Sequence, residues 1–371
     1  MRILIAAIEK HIPHAMGGGP MAIHHLALAF RSRGHDVAVV SALPGRGRLL
    51  GYRLLERSTG RSVLRTKDTG NGYPTYRAGT WAVPRLLGER LADRRPDAVI
   101  VQGTAAEVLA KAAADQGIPV IMRQIADGSV TGLAAAAARD RSIAELVHSP
   151  LVRIVSVSQF IDTWLRELVG VGSTVIYPPI RLVDSLAPGR TPQFVTFVNP
   201  IPVKGLPVAL AVARLLPHRR FLFAEAWNTS RSHRRYLDAE LAQLPNVTFR
   251  KRSVGLKDAY RATAVLLMPS QWPEAFGRVV VEASANGIPV VASRVGGIPE
   301  AAGESGVLLD AGASVEKWAE AVEQFLSDPI CYAQASARAL ANARRPEFDE
   351  TVVAEQYLDL LAGHAGQRTA R

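Results

Sequence analysis

The chain has a single cysteine, Cys331, in 371 residues. No internal disulfide is therefore possible, and a reduced, intracellular setting is the natural expectation. No stretch approaches the roughly 18 consecutive apolar residues of a membrane-spanning helix, so any membrane contact is expected to be peripheral. The opening MRILIAAIEK has too short an apolar run, and no small-residue cleavage site, for a secretory signal. It reads instead as a first buried strand, Ile3 to Ile8. Helix-turn-helix patterning, zinc-ligand spacing and aromatic-interleaved basic strands are all missing. Nucleic acid is therefore not expected as a partner, even at a formal charge of +11. Net charge governs solubility and unspecific attraction, and specifies neither fold nor target.

What is present is enough apolar material, 48% of the residues, for two cores, and 371 residues suggest two domains. After the first strand comes the loop EKHIPHAMGGGP, then a helix-period run Ile23, Leu26, Ala27, Phe30, stopped by Gly34, and a second strand Val37 to Val40. Gly17, Gly18 and Gly19 are consecutive, so the Gly-x-Gly-x-x-Gly spacing of a dinucleotide fingerprint is absent. A glycine triplet alone is more often a flexible turn than a site, and His11 and His14 in the same loop read as exposed loop histidines or as acceptor contacts. Helical pattern returns at Val83 to Leu91 and at Ala105 to Gln116, with strands at Ala98 to Val101, Pro119 to Met122 and 151–158. Such alternation predicts a parallel sheet covered on both faces. Arg46, Arg48, Arg53, Arg57, Arg61, Arg65 and Lys67 make a basic segment, read as a solvated loop or as a surface meeting an anionic acceptor or membrane face.

The breaker-rich DSLAPGRTPQ, residues 184–193, places a hinge. Beyond it, FVTFVNPIPVKGLPVALAVARLL reads as strand, loop and helix, with Lys204 and Gly205 ending the loop. Further strands are expected in 221–230, at Asn246 to Phe249 and at Val265 to Met268. The stretch PEAFGRVVVEASANGIPVVASRVGGIPE organises this half. Glu274 stands just ahead of Phe276 and Gly277; Glu282 follows eight residues later within a helical run. A helix opening at Gly277 offers unpaired N–H groups and a positive dipole end to an anion. Gly296 and Gly297 form a second turn after the strand at 288–293, and ligands in doubly wound sheets sit at the carboxyl ends of strands. The plainer alternatives are that Glu274 complements the helix dipole and that Glu282 pairs with Arg278.

Glu274 and Glu282 form the Glu-x7-Glu signature of the retaining glycosyltransferases of family 4, and the chain resembles that family around it. NVTFRKRSVGLKDAYRATAVLLMPSQWPEAFG upstream and VGGIPEAAGESGVLLD downstream are similar to the family's usual sequence. The resemblance implies an α/β protein of the GT-B fold: two Rossmann-like domains with parallel sheets facing across a cleft and a C-terminal helix crossing back. Residues 1–183 would be the acceptor-binding domain, 184–193 the hinge, 194–346 the donor-binding domain, and 347–371 the crossing helix and tail. It further implies that Lys204 holds the leaving diphosphate, that Glu282 accepts hydrogen bonds from the donor ribose, and that Glu274 with Ala275, Phe276 and Gly277 holds the sugar. Asn199, Gly205 and Arg278 complete the donor set, with Lys204 and Glu274 as the catalytic pair. Gly17, Gly18 and Gly19 correspond to the family's glycine loop on the acceptor side.

Four departures stand out. The family's Arg-x4-Lys element is matched at Lys204, but the arginine position is Asn199, which puts diphosphate binding partly on other cations such as Arg278 or Arg294. A Gly-x-Gly is replaced by Glu225-Ala226-Trp227, and Pro178-Pro179 stands where many relatives have Asn-Gly. No histidine occurs between Pro119 and Asp140, where relatives carry an acceptor-side histidine; Arg123, Gln124 and Asp127 are the polar candidates, Arg123 read as an acceptor contact or as a structural salt bridge. No Asp-x-Asp occurs anywhere, so no metal is expected, and no cofactor beyond the nucleotide-diphosphate sugar itself. The expectation is a retaining, metal-independent glycosyltransferase acting on a hydroxyl acceptor (glycan, lipid or small molecule), cytoplasmic, with its basic N-terminal domain either simply solvated or in peripheral contact with the inner face of the membrane. The alternative is a catalytically inactive nucleotide-sugar-binding protein of the same fold.

Overall fold

A computed structural model describes residues 1–43, 66–227, 229–251 and 255–369. The basic segment from Arg46 to Arg65 lies outside the described residues; Lys67 is within them. The chain divides into two compact units, one built from Met1–Pro179 together with the segment from Glu350 onward, the other from Ile180–Asp349.

In the first unit the strands are β1 (Arg2–Lys10), β2 (Asp36–Ala42), β3 (Thr66–Asp68), β4 (Thr75–Ala78), β5 (Ala98–Gln102), β6 (Val120–Gln124), β7 (Val152–Ser156) and β8 (Thr174–Val175). They form one sheet in the order β3-β4-β2-β1-β5-β6-β7-β8. β3 runs antiparallel to β4 and the other pairings are parallel. β1 sits between β2 and β5, with Ile3 opposite both Val37 and Ala98, and is covered on both faces. That double burial is why Ile3 to Ala7 are apolar without alternation. Helices open and close where the sequence provides the chemistry. Ser158 caps Gln159–Val169 by accepting from the Ile161 N–H at 3.1 Å, and Gly170, at φ 76°, ends it. The last helix, Glu350–Thr369, returns to this unit and lays Val353, Ala354, Tyr357 and Leu361 into the same core as Ile5, Phe30 and Val39.

The second unit holds β9 (Phe194–Val198), β10 (Arg220–Ala224), β11 (Val247–Arg250), β12 (Thr263–Met268), β13 (Val290–Ser293) and β14 (Gly306–Leu309). They make a parallel sheet ordered β11-β10-β9-β12-β13-β14. β10 shows why these strands read as apolar runs. Phe221 and Phe223 enter one core with Trp318 and Phe325, while Leu222 and Ala224 enter another with Ala259 on the opposite face. Each fully buried phenylalanine side chain contributes about 1.5–3 kcal/mol.

The sequence places the hinge at 184–193, whereas the units divide after Pro179. Residues 184–193 are bound to the second unit. Asn286 accepts from the Ala187 N–H at 2.8 Å and donates to the Ser185 carbonyl at 3.0 Å. Thr191 and Gln193 donate to the Arg261 and Ala262 carbonyls at 2.9 and 2.8 Å. Breaker residues there make a folded lead-in and not a free linker. The helix Asp127–Arg139 was not legible as an element, because its glycines, Gly128 and Gly132, blur the apolar period.

Candidate active site

In the second unit, the loops leaving β9, β12 and β13 at their carboxyl ends pack on one another. After β9 a single turn, Pro202–Lys204, ends at Gly205, whose φ is +88°. A Cβ there would lie 1.9 Å from the Pro269 carbonyl oxygen, so only glycine lets the lysine loop lie against the Pro269-Ser270 step after β12. Lys204 Nζ forms an ion pair with Glu274 Oε1, each side chain only 13% exposed. The Ser270 hydroxyl donates to the same carboxylate oxygen at 3.0 Å. After β13, Gly296 and Gly297 clasp the backbone that carries Glu274. The Gly297 N–H donates to the Glu274 carbonyl at 2.7 Å, and a Cβ on Gly296 would stand 2.2 Å from that carbonyl oxygen. Phe276 is buried edge-on against Phe348, and Gly277, at φ +103°, opens the helix Arg278–Ser284, which no side chain caps.

Glu282 lies on that helix. The Tyr260 hydroxyl donates to its Oε2 at 2.9 Å, and Arg278 stands 3.6 Å from its Oε1. Burial pushes the carboxyl above its ordinary value, while the Arg278 charge and the Tyr260 and Arg278 hydrogen bonds pull the other way. The i−4 ion pair with Arg278 is thus present, and a buried tyrosine is added to it. Burial, with the neighbouring Glu282 charge, raises the Tyr260 phenol far above its usual range, which keeps it a donor. Neither Tyr260 nor Ser270 was identified from sequence; the Pro-Ser step ahead of Glu274 was the only available signal for the latter.

Two expected site residues have partners within the chain. Asn199, placed among the donor contacts, is buried at φ 58° and its Oδ1 accepts from the Ala226 and Trp227 N–H groups at 2.9 and 2.8 Å. Its amide oxygen is committed to the chain. Arg294, raised as an alternative cation, is exposed and donates to the Leu308 carbonyl at 3.1 Å.

In the first unit, Gly17 is extended, with φ −72° and ψ 174°, and Gly18 begins the helix Gly18–Ser32, which has neither a side-chain cap nor an acid in its first turn. Gly19 fits tightly, a Cβ there falling 3.2 Å from Ile125 and 3.3 Å from Gln102. Arg123, read as an acceptor-side residue, is instead fully buried in β6. Its Nε donates to the Tyr357 hydroxyl at 2.7 Å and its Nη1 to Gln102, which in turn donates to the Gly19 carbonyl at 3.0 Å. The guanidinium ties the glycine turn and sheet to the last helix. His11 is likewise core, not exposed loop. Its Nε2 and His24 Nδ1 lie 2.7 and 2.8 Å from the Tyr73 hydroxyl, and burial, then the Arg77 and His24 charges, lower its pKa to about 3. His14 is exposed.

Two parallel-sheet α/β units in one chain, the second bearing a lysine and two glutamates near its strand ends, are the architecture of the GT-B glycosyltransferases. HepE of Anabaena, solved in complex with UDP-glucose, superposes with a TM-score of 0.74 at 20% identity, covering 98% of this chain and 100% of that one. WaaG, described as a glycosyltransferase involved in lipopolysaccharide biosynthesis, superposes at 0.66 with 16% identity, covering 97% and 100%. At those identities the likeness is one of fold. The family model described as Glycosyl transferases group 1 matches residues 184–345, and that described as Glycosyltransferase Family 4 matches residues 16–183. The chain belongs to glycosyltransferase family 4.

Among curated relatives, a D-inositol 3-phosphate glycosyltransferase of Rhodococcus opacus is 40% identical over 98 residues, 26% of this chain and 22% of that protein. One of Pseudarthrobacter chlorophenolicus is 36% identical over 134 residues, 35% and 30% respectively. The matched stretch therefore spans less than a third of these relatives' own length. Among the described residues no helix is long and apolar enough to cross a membrane.

Proposed function

We propose that the chain transfers a sugar from a nucleotide-diphosphate sugar to a hydroxyl acceptor, with retention of configuration and without a metal. The observation that carries this reading is the Lys204–Glu274 pair, largely shielded from water and fixed by glycine turns that admit no other residue. In the resting protein the two charges neutralise one another. An arriving donor offers each a better-matched partner, with the diphosphate taking the ammonium and the sugar hydroxyls donating to the freed carboxylate. The main chain at Ala275, Phe276 and Gly277 lies beside them, and Glu282, kept in place by Tyr260 and Arg278, accepts from the ribose. Gly17, Gly18 and Gly19 open an uncapped helix in the other unit and serve the acceptor side.

The chemistry asked of the protein is stabilisation of the leaving diphosphate. An ammonium about 4 Å from a phosphate oxygen contributes roughly 4 kcal/mol at an effective dielectric near 20. Realised only in the transition state, that is a rate factor approaching about a thousand. Neither carboxylate acts as a nucleophile. Attack on the face the diphosphate leaves, with the departing phosphate taking the acceptor proton, gives retention. The membrane's inner face is a natural place for a basic chain to meet a lipid acceptor.

The test is incubation with UDP-, GDP-, ADP- and dTDP-sugars, with and without EDTA. The expected result is slow, EDTA-insensitive hydrolysis of one donor, with the released or transferred sugar keeping its anomeric configuration by NMR. Binding without any turnover would favour the inactive binding protein; inversion, or loss with EDTA, would overturn the stereochemical or metal assignment.

A further inference from the structure

We propose that Trp227 is the surface on which the donor's nucleobase stacks, and that Asn199 is the residue that positions it; this rests on the donor site proposed above. Two of the positions at which the second unit departs from the family's pattern, Asn199 and Trp227, are bonded to each other. Asn199 ends β9 in a left-handed conformation that asparagine tolerates. Its own N–H donates to the Ala224 carbonyl at 2.8 Å, and its side-chain oxygen accepts from Ala226 and Trp227. The end of β10 and the loop that follows it are therefore tied to Asn199 by three hydrogen bonds, two of them to the loop.

The consequence is an indole held against Lys204, with the ammonium 4.7 Å from the ring centroid. The residue nevertheless remains 41% exposed, so much of its aromatic surface is open. Fixing an aromatic plane by its backbone, leaving it solvated, is costly in exposed apolar area and useful where a flat ligand arrives. The strand order says which part of the donor that is. Glu274 follows β12, Lys204 follows β9 and Trp227 follows β10, and these strands are neighbours in the order β10-β9-β12. With the diphosphate at Lys204 and the sugar toward Glu274, the remaining portion of the donor extends toward β10. That portion carries the only planar aromatic group of a nucleotide sugar. Farther along the chain, Thr229, Ser230 and Arg231, with Glu225, Arg234 and Arg235, line a separate cavity of about 470 Å³.

The experiment is calorimetric titration of the full chain with the nucleoside diphosphate that wild type binds and with inorganic pyrophosphate, which has no base. Trp227→Ala is expected to weaken nucleoside diphosphate binding about tenfold while leaving pyrophosphate affinity within about twofold. Trp227→Phe restores most of the loss, and Trp227→Leu, which keeps apolar bulk without a π face, does not. Asn199→Gly, which keeps the left-handed backbone and removes the acceptor oxygen, is expected to weaken the nucleoside diphosphate selectively as well. Unchanged nucleoside diphosphate binding in Trp227→Ala, an equal loss of pyrophosphate, or full rescue by leucine would overturn the proposal. Wild type that binds neither ligand would overturn the donor-site reading itself, whereas wild-type binding with indifferent Trp227 variants would sink this inference alone.

Discussion

Removing the Lys204 ammonium leaves the Glu274 carboxylate, 13% exposed, with the Ser270 hydroxyl as its remaining side-chain donor. Lys204→Ala is therefore expected to lower kcat by about a thousandfold and to leave the fold intact by circular dichroism. Glu282→Gln, which still accepts from Tyr260, is expected to lose most transfer while keeping its melting temperature within a few degrees. Wild-type turnover in either variant would count against the assignment. His11 supplies a separate pH signature. Its folded pKa, about 3, lies below the ordinary 6.5, so between those values the unfolded chain takes up a proton that the folded chain refuses. Stability then rises with pH across that window and is lost on acidification. Urea midpoints measured from pH 7 to pH 4 are expected to fall, and to fall less steeply in His11→Gln. At this scale the sequence showed residue types but not their partners. Glu274 and Glu282 were legible because their spacing is tied to a turn and a helix. Asn199, Arg123 and His11 were not, because what each touches is distant in sequence: Trp227, Tyr357 and Tyr73.

Among the elements, the glycine turns carry the site's geometry. Gly296, at φ +56°, has the Glu274 carbonyl where a Cβ would stand. Gly296→Ala is expected to cost at least about 1–3 kcal/mol in backbone strain and, by shifting the main chain of Glu274, to reduce kcat more than donor KM. Calorimetry and steady-state kinetics on one preparation check both; an unchanged melting temperature would show that the turn is not a constraint. β9, β10, β12 and β13 were readable to within a few residues, since burial on both faces writes an unbroken apolar run; β11 was read as well, although it is only partly buried, and β14, equally half-buried, was not. β3 and β4 were not, because three- and four-residue strands at a sheet edge need little apolar sequence.

For the molecule as a whole, the two units have separate cores, and the first is incomplete without residues from beyond the second. Truncation after Asp349 removes Val353, Ala354, Tyr357 and Leu361 and exposes the apolar surface they cover. Such a truncated protein is expected to lose the melting transition of the first unit while keeping one for the second. Two unaltered transitions would refute the dependence. The two family matches meet at 183/184, where the sequence reading puts the boundary, while the units divide a few residues earlier, after Pro179; the offset arises because breakers mark irregular backbone, and irregular backbone at 184–193 is hydrogen-bonded into the second unit.

That return helix also orders events at the ribosome. The first 179 residues leave the exit tunnel long before Tyr357 exists to receive the Arg123 side chain. The second unit, whose residues are contiguous, can finish folding while the first still waits with part of its greasy flank uncovered. A nascent chain stalled before residue 350 is thus the species most in need of a chaperone, and the docking of the helix Glu350–Thr369 is the moment at which that need ends.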